Sequence, residues 1–252
     1  MDAHDAMKRS RREFLETAGA VAASVALAGL PLGARVAAGA SGPGMKIGII
    51  GSGRIGGTLG GLWVKAGHEV LFSARNLDPV RKLVAGLGQR AHAGTPKDAA
   101  VFGDVILISV PYGALPQVGR DLAGDLKGKV VLDTCNPNPG RDGDMAVAAR
   151  AKGTGVASAE FLPGVRLVRA FNTVGSGALR SEAHRAGDKV AVPLAADDEA
   201  ALKIAIQLVQ DAGFEPVVVG PLARAKEFDT GTPVYGKALT ARELRRGLGM
   251  GS

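Results

Sequence analysis

Short apolar runs alternate along this chain with segments whose apolar residues recur every three or four positions. The runs are Lys46–Ile50 (KIGII), Glu69–Ser73 (EVLFS), Asp104–Val110 (DVILISV), Lys129–Asp133 (KVVLD), Arg166–Phe171 (RLVRAF), Lys189–Ala195 (KVAVPLA) and Glu215–Gly220 (EPVVVG). Their length and β-branched content predict strands. DVILISV is almost wholly apolar, which is expected of a strand buried on both faces of a parallel sheet. Arg54–Ala66, closed by Gly67, predicts a helix. Asp78–Gly88 predicts another, with Asp78 as N-cap and Pro79 in the first turn. Thr95–Phe102 repeats that cap chemistry. Asp197–Gly213 places acids in its first turn and apolar residues at helical spacing, a strong amphipathic helix. Strands alternating with helices predict an α/β fold with a doubly wound, mostly parallel sheet covered on both faces. Residues 45–220 form that domain in this reading. Residues 221–252 pack on it as a helix and an extended segment.

Composition narrows the class. Hydrophobic residues make up 46% of the chain and charged residues 22%, enough apolar material for a packed core and too little charge for a disordered chain. The formal net charge of +7 favours acidic or phosphorylated ligands. The basic residues are scattered, and no basic run interleaved with aromatics follows the N-terminus, so nucleic acid is not an expected partner. The single cysteine, Cys135, excludes an intramolecular disulfide and any metal site built on two or more cysteines.

The N-terminus reads as an address. A basic head (MKRSRREFLE, residues 7–16) precedes an apolar stretch (AGAVAASVALAGL, residues 18–30) and a small-residue close at Ala38–Ala40 before Ser41. That anatomy is a secretory signal over residues 1–40. Ser10, the pair Arg11–Arg12 and Phe14–Leu15 resemble the twin-arginine export signal, although Glu16 stands where Lys is usual. Met7 begins a cleaner signal than Met1. The apolar run is short for a membrane span, which needs roughly 20 residues. The expectation is a periplasmic protein handed folded to the twin-arginine translocase, with no stable membrane span.

Directly after the first predicted strand stands Gly51-Ser52-Gly53-Arg54-Ile55-Gly56, a G-x-G-x-x-G that opens a helix. In this setting the first glycine permits a tight turn, the second lets backbone approach a pyrophosphate, and the third allows close helix–strand packing. The helix N-terminus offers free N–H groups and partial positive charge. This is the fingerprint of a Rossmann NAD(P)-binding fold. An NAD site usually ends its second strand in an acid that holds the ribose 2′-OH. Here the strand ends in Ser73-Ala74-Arg75-Asn76. A hydroxyl and a guanidinium suit a 2′-phosphate, so the expected nucleotide is NADP(H).

At these residues the chain resembles the NADPH-dependent deazaflavin (coenzyme F420) reductases, which are related to the NADPH-binding domain of membrane ferric reductases. The resemblance is carried by the glycine turn, by DVILISVPY, VVLDTCNP and VRAFNTVGSG, and by the stretch ending VVVGPLARA. It runs from about Met45 to Arg245. It implies that Gly51 to Gly56 hold the phosphates and that Ser73 and Arg75 lie in the 2′-phosphate region, although Ala74 separates two residues that are often adjacent in the family. It implies that Val110, Pro111 and Tyr112 run beside the nicotinamide ribose. Asn136 and Pro137 lie near the nicotinamide, and Asn172 and Thr173 near the acceptor. All follow predicted strands, where ligands of such sheets bind.

Hydride transfer to a flavin or deazaflavin is mainly a matter of positioning two rings and excluding water, which suits a sequence with no evident catalytic dyad. His68, His92 and His184 are isolated. Cys135 reads as a small buried residue, Tyr112 as a proton donor or a ring packed on the cofactor, and Asn136 and Asn172 either as ligand-orienting groups or as strand-end backbone partners. Lys226 would suggest a hydroxyacid dehydrogenase, but no large helical domain surrounds it. The expected function is hydride transfer from NADPH to a small-molecule redox acceptor: a deazaflavin, a flavin or a ferric chelate. Free NADPH is not expected outside the cytoplasm, so an exported reductase needs a tightly held cofactor. Two other readings stay open. One is an NADP-binding sensor without turnover. The other is an imine or hydroxyacid dehydrogenase, whose pocket a homodimer would have to complete.

Overall fold

The computed structural model describes residues 44–251; the expected export signal lies outside them. Eight strands form one sheet in the order β3-β2-β1-β4-β5-β6-β7-β8. They are β1 (Lys46–Ile50), β2 (Glu69–Ser73), β3 (Ala91–Gly94), β4 (Val105–Ile108), β5 (Val130–Asp133), β6 (Arg166–Arg169), β7 (Ala191–Ala196) and β8 (Glu215–Gly220). The first six are parallel. β7 enters antiparallel to β6 through Val168↔Ala196 and Arg169↔Ala195, and β8 is parallel to β7. The strand order turns around between β1 and β4. In such sheets this switch point leaves a crevice at the carboxyl ends of the strands.

β3 was not anticipated. Its sequence, AHAG, has no β-branched residue and is only partly buried at the sheet edge, so it lacks an apolar run.

Helices cover both faces. On one side α1 (Arg54–Lys65) and a long helix, Glu199–Asp211, pack over Ile47, Ile49, Val70, Phe72, Leu107 and Leu132. Trp63 of α1 is fully buried, and its indole N–H donates to the carbonyl of Leu208 at 2.8 Å, so one side chain joins the two helices. Burying an apolar side chain contributes about 1.5–3 kcal/mol, and the indole's polar end is satisfied rather than stranded. His68, also buried, accepts the Met45 N–H through Nδ1 at 3.1 Å and lies 2.9 Å from Asp211 through Nε2. These contacts give it a structural role.

The second helix, α2 (Asp78–Ala85), begins at Asp78, not after it: Leu77 is the N-cap, and Asn76 Oδ1 accepts the Asp78 N–H at 3.0 Å. By contrast Thr95 caps α3 (Pro96–Phe102) in a reciprocal box with Asp98. On the other face α4 (Leu115–Asp121), α5 (Ala123–Leu126), α6 (Pro139–Asp142), α7 (Asp144–Lys152) and α8 (Thr154–Phe161) follow. Then come α9 (Ser176–Ser181), α10 (Glu199–Asp211) and α11 (Ala241–Gly247). After β8, the 3₁₀ segment Leu222–Phe228 packs on α8 and β7, with Phe228 fully buried. No helix among the described residues is long and apolar enough to cross a membrane.

Candidate functional site

β1 ends at Ile50, and the glycine turn begins. Gly51 has φ +99°, and a Cβ there would strike the carbonyl oxygen of Ser109. A Cβ on Gly56 would strike the carbonyl oxygen of Gly51. Both glycines are therefore demanded by the protein's own packing. Gly53 differs: nothing lies within 4 Å of where its Cβ would stand. It caps α1 in extended conformation with no side-chain cap, and the first-turn N–H groups have no intrahelical partner. The neighbouring Ser52 hydroxyl is buried and has no hydrogen-bond partner among the described residues.

In front of this turn is a cleft of about 370 Å³. Gly53, Arg54 and Ile55 line it from α1, Ser109, Val110 and Pro111 from the end of β4, and Thr134, Cys135 and Asn136 from the end of β5. Arg141 completes the wall. The sequence expectations of a phosphate turn and of two strand-end loops thus converge on one crevice at the switch point.

The end of β2 is a correction. Ser73 is fully buried, and its hydroxyl donates to the carbonyl of Ile49 at 2.6 Å. Its carbonyl accepts the N–H groups of Gly51 and Ser52 at 3.1 and 2.9 Å. It braces the turn and does not present its hydroxyl to a phosphate. Asn76 is engaged in opening α2. Arg75 is exposed and forms no ion pair among the described residues. Arg54, at the helix N-terminus, is exposed too.

Tyr112 is a second correction. It begins a 3₁₀ turn that carries its ring inward, fully buried, edge-on to Phe161 with centroids 6.2 Å apart. Burial pushes its hydroxyl up to about 12. It is neither a cofactor platform nor a proton donor at the cleft. The Cys135 thiol is also pushed up by burial, then by the nearby Asp133 carboxylate. It is a packed residue, not an activated nucleophile.

Asn136 lines the cleft with both ends of its amide occupied. Nδ2 donates to the carbonyl of Asn172 at 2.8 Å and meets the Tyr235 hydroxyl at 3.2 Å, while Oδ1 accepts from Arg169 at 2.8 Å. Asn172 and Thr173 are buried behind it, not in the cleft wall. Asn172 donates to the carbonyl of Phe228, and the Thr173 carbonyl accepts the Gly236 N–H. Pro137 is buried, and its carbonyl accepts twice from Arg150 at 2.8 and 3.0 Å. These residues build the back of the site, and Asn136 is the one that reaches its surface.

Sequence reasoning missed Arg169. This fully buried guanidinium lies 3.0 Å from Asp133 and 3.4 Å from Asp229, and donates to the carbonyl of Cys135 at 2.6 Å. It fixes the loop after β5 and ties it to the tail after β8. The signal was a lone arginine inside the apolar run RLVRAF, since a charge in a strand buried on both faces must have a buried partner.

Residues 46–137 match the family model described as NADP oxidoreductase, coenzyme F420-dependent. Over 204 residues the chain is 28% identical to the F420-dependent NADP reductase of Methanothermobacter thermautotrophicus, covering 75% of this chain and 87% of that protein. Over 188 residues it is 28% identical to the metalloreductase STEAP3 of Rattus norvegicus, covering 73% of this chain and 36% of that one, so it spans about a third of that relative's length. Among solved structures, a hypothetical protein from Sinorhizobium meliloti aligns with a TM-score of 0.68 at 24% identity over 78% of this chain and 95% of that one. That likeness carries the fold: an α/β architecture of the Rossmann kind.

Proposed function

We propose that this chain is an NADP(H)-dependent reductase whose cleft at the β1–β4 switch point holds the nucleotide and whose acceptor is a deazaflavin, a flavin or a ferric chelate. The observation that carries the reading is Gly53. Packing alone would tolerate a side chain there, so the missing Cβ serves whatever enters the cleft. The buried, partnerless Ser52 hydroxyl and the unpaired first-turn N–H groups beside it supply donors for a pyrophosphate. Arg75, free of carboxylate partners at the end of β2, takes the 2′-phosphate in place of the acid an NAD site would carry. The match of residues 46–137 to an NADP oxidoreductase family, and the reductase names of two relatives, point the same way.

When bound, the nicotinamide supplies the hydride. The chain's own residues bind, orient and exclude water. Val110 and Pro111 form one side of the crevice and Thr134 to Asn136 the other. Asn136 is held in place by its hydrogen bond from Arg169. Among the described residues, the cleft lining has no Asp, Glu, His or Lys, which suits a transfer that needs positioning above all. Export through the twin-arginine route, with the nucleotide loaded first, belongs to the same reading. It is tested by changing Arg11 and Arg12 together to Lys and following secretion.

The deciding experiment releases the nucleotide from purified protein, identifies it by mass, and then supplies NADPH with flavin, deazaflavin and ferric chelate in turn. Bound NADP(H) with one acceptor reduced supports the reductase and identifies its partner. Bound NADP(H) with none reduced turns the reading into a nucleotide sensor.

A further inference from the structure

The cleft carries one cation that neither the glycine turn nor the end of β2 accounts for. Arg141, in α6, lines the wall beside Asn136. Its guanidinium is braced from behind. Nε donates to Asp142 Oδ1 at 2.8 Å, and Nη2 donates to Asp142 Oδ2 at 2.7 Å and to the carbonyl of Asn136 at 3.0 Å. The brace is itself fixed. The Asp142 side chain is only 2% exposed, and its carboxylate also accepts the N–H groups of Gly113 at 3.1 Å and Asn138 at 2.9 Å. Two of the three guanidinium nitrogens thus hold the loop together. Nη1 forms no hydrogen bond among the described residues, and the side chain as a whole is 46% exposed.

A surface arginine normally loses rotamer freedom when it grips a ligand. Arg141 has already lost it to Asp142, so its remaining donor is presented at fixed position. A preorganised guanidinium with an idle N–H edge is suited to a carboxylate or a phosphate. The place narrows the source. The cofactor's pyrophosphate is served by the turn after β1, and its 2′-phosphate by Arg75 after β2. Arg141 follows β5, which stands two strands along the sheet from β1 on the side opposite β2, and it lines the cleft wall together with Thr134, Cys135 and Asn136. With the pyrophosphate on the turn after β1 and the 2′-phosphate at the end of β2, the proposed reading leaves this side of the cleft to the nicotinamide and the acceptor.

We propose that Arg141 receives an oxyanion of the electron acceptor, which makes the acceptor an anionic compound and Arg141 a specificity-determining residue. This rests on the NADP(H)-reductase reading of the cleft.

The test uses the full chain and two probes that share one ring, flavin mononucleotide, which carries a phosphate, and riboflavin, which does not. Binding to NADP⁺-loaded protein is read by quenching of ring fluorescence, and NADPH affinity is titrated separately. The expected result is that wild type binds the phosphorylated probe at least ten-fold more tightly than the unphosphorylated one. Arg141→Gln should abolish that preference and leave NADPH affinity within two-fold. Arg141→Lys should restore part of it, and it keeps the test open if the glutamine variant does not fold. Equal binding of both probes to wild type overturns the proposal and leaves the reductase reading intact. So does a loss confined to NADPH affinity, which would give the arginine to the cofactor's phosphates. Failure of wild type to bind NADP(H) at all removes both.

Discussion

The carbonyl of Ser73 holds the N–H of Gly51 at 3.1 Å, so the last residue of β2 fixes the turn that follows β1. The Ser73 hydroxyl is spent on Ile49. Ser73→Ala should therefore cost stability and not specificity. We expect a loss of about 1 kcal/mol, the usual worth of one neutral hydrogen bond, in urea unfolding. The ratio of NADPH to NADH affinity should stay unchanged; a fall in that ratio would return the hydroxyl to the 2′-phosphate.

On the proposed reading Arg75 carries the nucleotide preference. Arg75→Asp replaces an attractive charge with a repulsive one at an exposed position, so the fold should be little affected. NADPH affinity should fall at least roughly ten-fold, the size of one charge-assisted contact, while NADH affinity changes by less than about three-fold. Equal losses for both nucleotides would move the 2′-phosphate elsewhere, with Arg54 the next candidate.

The three glycines of the turn separate by cause. Gly53→Ala should leave the melting temperature within a degree or two and weaken NADPH binding, because only a ligand needs that space. Gly56→Ala should lower stability with or without nucleotide, because the added methyl meets the Gly51 carbonyl. Thermal scans of both variants, each with and without NADP⁺, check this. A Gly53→Ala protein that binds NADPH normally would leave the cleft without its main evidence.

Arg169 lies between Asp133 and Asp229 with no exposure of its own. Arg169→Met removes the cation and leaves two buried carboxylates without it. Breaking such a buried pair typically costs about 3–5 kcal/mol. Urea unfolding at neutral pH should show a loss of that order, and a loss under about 1 kcal/mol would mean that water already reaches the pair.

Asp142 sets an acid limit. Its hydrogen bonds from Arg141, and then from the N–H groups of Asn138 and Gly113, hold its carboxyl down to about 2 from an ordinary 3.8. A depressed folded-state value stabilises the fold above the unfolded value and loses that contribution as pH falls through the folded one. The contribution should be whole above about pH 4 and gone near pH 2. Because Arg141 is half exposed, it is on the order of 1 kcal/mol after screening. The stability gap between wild type and Asp142→Asn should shrink across that window; a gap constant from pH 6 to pH 2 would contradict the assignment.

What the sequence made legible is local. The glycine turn declares itself because strand, glycines and helix are contiguous. β1, β2 and β4 declare themselves because central parallel strands are continuously apolar. β3 does not, because AHAG at a half-exposed edge has no such signature. The direction of β7 is also hidden, since an apolar run reads the same either way up. Ser73 is read into the site from its place at a strand end and Tyr112 from the resemblance, but strand-end side chains in a sheet covered on both faces point inward as readily as outward. Arg169 and Asp229 meet across 60 residues of sequence. No local pattern announces that pairing.

The reversal at β7 has a consequence in time. With β7 and β8 running against the first six strands, the chain leaves β8 heading away from the cleft, and the segment after it turns back to deliver Asp229 to Arg169 and Tyr235 to Asn136. A growing chain is made from its N-terminus at about 5–20 residues per second. The glycine turn therefore emerges roughly ten seconds or more before Tyr235, whose hydroxyl meets Asn136. The glycine turn is thus made early in the synthesis of each molecule, and the tail that braces the far wall of the cleft is made last.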